Sequence, residues 1–139
     1  MEEAFTNYLL GSTDLAALVS TRITWVMRPQ ASLLPSIVLH KISGAPEYSD
    51  EGEAGLLSAR IQIDCWATNV PPDSGYAIAK NVSRQVMARL SGDGAAFTQD
   101  GIEFQASFNE DGQDSFERGA GGEDLYRTRL DFIIWYKET

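Results

Sequence analysis

Apolar positions alternate with polar ones in three stretches of the chain and recur at helical spacing in a fourth. Ile61, Ile63 and Cys65 alternate with Arg60, Gln62, Asp64 and Trp66, which predicts a strand from about Leu57 to Trp66. Ile102, Phe104, Ala106 and Phe108 alternate with Glu103, Gln105 and Ser107, a second such strand. Tyr126, Thr128, Leu130, Phe132, Ile134 and Tyr136 share one face of a last strand. Between these stretches, Ile78, Val82, Val86 and Leu90 stand at i+4 spacing, widened by Ala79 and Met87. That pattern predicts an amphipathic helix over Gly75–Leu90. Pro71-Pro72-Asp73-Ser74 supplies a stop and an N-cap, and Ser91-Gly92-Asp93-Gly94 ends it. Asp73 and Arg89 lie at the ends that suit the helix dipole.

The remaining segments are read from residue type. Residues 2–19 are helical in two pieces separated by Gly11, the second capped by Ser12 or Thr13. Ile23–Met27 and Ser36–Ile42 are rich in strand formers. Two acidic, glycine-containing stretches are expected to be exposed loops, Glu47–Gly55 and Asn109–Asp124. Helices and strands together give one α+β domain over residues 1–139.

The second face of the last strand changes character along its length. Arg127, Arg129 and Asp131 suit water, but Ile133 and Trp135 follow them. Either the chain covers these two with its own helix or loop, or they form a contact between subunits. Ile133 and Trp135 are therefore candidate interface residues.

Length and composition are those of a globular domain able to build a core without staples: 139 residues, 43% hydrophobic and 22% charged. The net charge of −9 disfavours binding to nucleic acid and to anionic membrane surfaces. The acidic start, Met1-Glu2-Glu3, does not look like a secretion signal, so the chain is expected to stay in the compartment where it is made.

Candidate chemistry is sparse. His40 is the sole histidine, which rules out a multi-histidine metal site, and a lone strand histidine reads as structural. Cys65 is the sole cysteine, so no internal disulfide forms, and its place among core positions predicts an inert thiol. Ser107, Asn109, Asp111 and Gly112 imitate part of a calcium loop, but serine stands first and Arg118 occupies the place of the bidentate glutamate. Gly119-Ala120-Gly121-Gly122 opens no helix and is read as a loop tip. No cofactor is implied.

Four segments together resemble a known family. They are Leu15–Val19 running into Thr21-Arg22-Ile23, then Pro35–Ser43, then Arg60–Ala67 followed by the amphipathic helix, and finally Tyr126–Tyr136. They resemble the tail-completion proteins of long-tailed bacteriophages and gene transfer agents, also called tail terminators or tail-to-head joining proteins. Trp25 departs from the proline that the family often carries there. The resemblance implies an antiparallel sheet with two main helices packed on one face. It implies a non-enzymatic protein that assembles in the host cytoplasm and resides at the head–tail junction of the virion. There it forms a ring with itself, usually of six copies, and contacts the tail tube and a neck or head-completion protein. DNA passes through only as cargo, and no membrane is involved. The acidic stretches, with Glu47, Asp50, Glu51, Glu53, Asp111, Asp114, Glu117 and Arg118, are the candidate tube, neck or lumen loops. Two other readings stand beside this one: a head-completion or stopper protein of the neck, and, more remotely, a small metal-dependent hydrolase using the Asn109–Asp124 carboxylates.

Overall fold

A computed structural model describes residues 1–27, 33–42, 56–119 and 122–138. Helices α1 (Glu2–Leu10) and α2 (Thr13–Val19) lead into strands β1 (Ile23–Trp25), β2 (Ser36–Ile42) and β3 (Leu56–Ala67). Helix α3 (Gly75–Leu90), a 3-10 turn (Gly92–Ala95) and strands β4 (Ala96–Gln99), β5 (Ile102–Arg118) and β6 (Asp124–Glu138) complete the order. The Glu47–Gly55 stretch lies outside the described residues.

The helices begin where the sequence supplies caps. The Ser12 hydroxyl accepts from the Leu15 amide at 3.2 Å and the Ser74 hydroxyl from the Ala77 amide at 3.1 Å. Gly75 is required at the first position of α3, because a Cβ there would run into the Tyr126 ring and the Thr68 backbone.

The six strands form one sheet in the order β1-β2-β3-β6-β5-β4. It is mixed, which corrects the expectation of a purely antiparallel sheet. β1 runs parallel to β2, pairing Ile23 with Ile37 and Trp25 with Leu39, while the other pairs are antiparallel. A three-residue strand carries no periodicity from which its direction can be read.

The second correction concerns Asn109–Asp124. Most of it is strand, since β5 continues to Arg118 and pairs with β6 as far as Asp124. Two register shifts, between Phe108 and Glu110 and between Glu110 and Gln113, break the alternation that would have revealed it. A further strand, β4, joins β5 through Asp100-Gly101, both at positive φ, the conformation that tight hairpins require.

One face of the sheet carries all three helices. Phe5, Leu9, Leu15, Val19, Val82, Val86 and Leu90 from the helices pack into a single cluster with Ile37, Leu39, Ile61, Ile63, Leu130, Phe132 and Ile134 from the sheet. Register explains the fit: Ile61 sits opposite Phe132 and Ile63 opposite Leu130, so the core faces of β3 and β6 are continuous. Each large side chain buried this way contributes about 1.5–3 kcal/mol. Tyr8 ties α1 to the far end of the sheet. Its ring stacks on Phe97 at 3.5 Å and lies under the Arg89 guanidinium at 3.8 Å. Arg89 Nε also donates to the Tyr8 carbonyl, serving the open C-terminal end of α1.

Candidate assembly surfaces

The helix-free face of the sheet is polar but not simply wet. Asp64 points there, with its side chain only 3% exposed. Its carboxylate is approached by Arg129 Nε at 3.4 Å, His40 Nε2 at 3.3 Å and Arg127 Nη1 at 3.9 Å, and Gln62 donates to it from the same strand. One step along the ladder, Arg60 Nε donates to Asp131 at 2.9 Å, and Asp131 is also nearly buried. The alternation places these residues on one face, but only the register brings them together: Asp64 sits opposite Arg129, and Gln62 opposite Asp131. His40 thus serves as a partner of Asp64 from the neighbouring strand. Cys65 points the other way into the core, where burial, with the Asp64 charge adding to it, pushes its thiol far up.

The sheet curls about this face. Val26, just beyond β1, and Glu117, near the end of β5, line the same pocket of about 300 Å³ although their strands are far apart in the sheet order. Val38, His40, Asp64, Trp66, Leu125 and Arg127 complete its walls. Curling explains how charged side chains on a helix-free face lose most of their water.

The residues singled out in the sequence fall into separate environments. Ile133 and Trp135 lie on the helix-free face, half-buried, opposite Arg60 and Ser58 of β3. Trp135 forms part of an open hollow with Thr98, Glu103, Gln105 and Lys137. Asp111 belongs to β5 and not to a loop. Asp114, also on β5, is tied down: it accepts from Lys80 at 3.1 Å, Thr128 at 3.0 Å and Tyr76 at 3.3 Å. Partial desolvation raises its pKa, but the hydrogen bonds from Lys80, Thr128 and Tyr76 and the Lys80 charge outweigh it, and the net direction is down. Glu117 is exposed, and Arg118 pairs with Asp124 at 3.2 Å. Glu47, Asp50, Glu51 and Glu53 lie outside the described residues. Among the described residues, no three of histidine, cysteine, aspartate and glutamate converge on a point where a metal could sit.

The sheet margins carry features that the sequence reading did not single out. β4 covers β5 only from Ile102 to Gln105. From Ala106 to Arg118 the outer edge of β5 has no strand partner among the described residues. Beside that edge, Phe116 is 52% exposed and Tyr76 of α3 47%. At the other margin Val26 and Met27 are 72% and 65% exposed. The alternation around Phe116 was the available signal, and it was hidden by the two register shifts upstream.

With this geometry, comparison with known proteins is decisive on one point. The tail completion protein gp17 family matches residues 3–137. The chain belongs to that family. It is a structural tail-completion protein, and its place is the virion tail. No curated protein matches the tail-completion chain in sequence. Among solved structures, a chain in the virion of a native gene transfer agent particle shares its fold. The TM-score is 0.66 at 19% identity, covering 98% of this chain and 93% of that one. Among the described residues of the tail-completion protein, no helix is long and apolar enough to cross a membrane.

Proposed function

We propose that this tail-completion protein acts without catalysis, as a ring that caps the head-proximal end of the tail tube and joins the tail to the neck. The family match over residues 3–137 carries the reading. The sheet supports it, because two margins that have no strand partner among the described residues suit a closed ring better than a lone subunit. In this reading six copies contact the tube protein on one side and a neck or head-completion protein on the other. DNA passes through the lumen, and acidic side chains such as Glu117 keep it from adhering. Ile133 and Trp135 belong to the contact surface.

The test is to image tails assembled in the absence of the protein. Tubes of uncontrolled length are expected. Tubes of normal length that fail to join heads would instead make it a stopper of the neck. Tight, stoichiometric binding of a divalent metal by the purified chain would favour the hydrolase reading over both.

A further inference from the structure

We infer that the curl of the sheet is held by a charge clamp centred on Asp64, and that the seam it closes, between the turn after β1 and the end of β5, is a joint that opens when the clamp is loosened. The inference does not depend on the ring reading.

The seam has no ladder across it. Strands β1 and β5 are not neighbours in the sheet, and among the described residues no hydrogen bond or ion pair joins them. Yet Val26 and Glu117 wall one pocket. Something other than strand pairing brings them there.

The clamp supplies it, because its contacts reach every strand between the two margins. Asp64 of β3 faces His40 of β2 at 3.3 Å on one side. On the other side it faces Arg129 and Arg127 of β6 at 3.4 and 3.9 Å. Arg127 passes the link on to β5, where its Nε donates to the Ser115 hydroxyl at 3.1 Å. Beyond β2, the Val26 amide donates to the Leu39 carbonyl at 2.8 Å. Attraction that converges on a middle strand from both neighbours draws those neighbours together on that face alone. On the opposite face Ile61, Ile63, Leu130 and Phe132 are packed under the helices and keep the strands at their full spacing. A sheet shortened on one face and held on the other curls toward the shortened face.

The backbone at the seam carries strain. Val26 has φ at 73°, a conformation that a β-branched side chain rarely adopts, and its side chain is too exposed for burial to offset the cost. Such a residue persists only where its surroundings hold it, and strain of this kind gathers at clamps and switches. The clamp itself is adjustable. His40, Arg127 and Arg129 are each about a third exposed, so water and salt reach them and can take their place at Asp64. Opening the seam would uncover Val38, now 3% exposed, and widen the pocket on the helix-free face.

The experiment measures the width of the seam in the full chain. Met27→Cys and Glu117→Cys are combined and spin-labelled; both positions are exposed, and the natural Cys65 is buried. Pulsed electron resonance then gives the distance between the labels. With Asp64 present, a single narrow distribution is expected. Asp64→Asn keeps the shape and removes the charge, and should shift the distribution to longer distances and broaden it while circular dichroism is unchanged. Arg127→Gln, which cuts the link to β5 and leaves His40 and Arg129 on Asp64, should give a smaller shift in the same direction. Raised salt on the labelled chain with Asp64 intact should do the same, and it keeps the test valid if Asp64→Asn does not fold. Distances that stay fixed in folded Asp64→Asn, or in Arg127→Gln and raised salt together, would overturn the clamp. A broad distribution with Asp64 and low salt would overturn it as well, since the seam would then not be held at all.

Discussion

Strand β3 shows its two sides to different worlds. On one side Ala59, Ile61, Ile63 and Cys65 enter a core shared with three helices. On the other, Arg60, Gln62 and Asp64 enter a ladder of charges with His40, Arg127, Arg129 and Asp131. Both sides bury groups, but by different means. The apolar side gains by leaving water, and any well-shaped hydrocarbon there contributes. The polar side loses hydration and recovers it only if each carboxylate meets its cation. The helix side thus holds the fold together, while the charged side fixes the register of β2, β3 and β6, because a slip would strand Asp64.

The contrast can be broken most severely from the helix side. Val82→Asp places a carboxylate at a fully buried site inside the apolar core cluster. Its cost is several kcal/mol out of a typical total of about 5–15 kcal/mol. Circular dichroism should show loss of cooperative folding, and a soluble variant with unchanged helix content would mean that α3 buries another face.

Asp64→Ala probes the charged side. It leaves His40, Arg127 and Arg129 without their shared carboxylate, but those side chains are about 30% exposed and can regain water. Denaturant unfolding should show a loss of about 1–3 kcal/mol, smaller than for Val82→Asp. An equal or larger loss would mean that the ladder, not the core, dominates stability.

Asp114 bridges β5 and α3, and its contribution depends on pH. Its folded pKa lies below the ordinary aspartate value, so its stabilisation is complete above the unfolded pKa and is lost as pH falls through the folded one. Asp114→Asn should cost only about 0.2–1 kcal/mol at neutral pH, as the carboxylate is partly exposed and screened. The difference from the unmodified protein should shrink in acid, and a constant difference across the range would assign the effect to something other than the charge.

Cys65 gives the smallest effect. Burial and the raised thiol pKa make it unreactive in the folded chain, so a thiol reagent should label it only on unfolding. Rapid labelling under native conditions would show that β3 opens locally between its two faces.

What was legible in the sequence follows from periodicity. Helix α3 has the predicted bounds, Gly75–Leu90, because its apolar stripe and its stop signals agree. The core faces of β3 and β6 are as the alternation placed them. The β4–β5 hairpin had a signal in Asp100-Gly101 that strand patterning alone did not use. The full length of β5 was concealed, since each extra residue in a bulge turns the following side chains to the other face and makes a strand look like a loop.

The sequence by itself determined the family, the α+β character, the main helix and which side chains turn inward, because these depend on local spacing and residue type. Only the tertiary structure decided strand order, the parallel β1–β2 pair, the partners of Asp64 and the exposure of Phe116, Val26 and Met27. Those depend on which distant segments become neighbours and how far the sheet curls, and neither register nor curvature is written in any one stretch of chain.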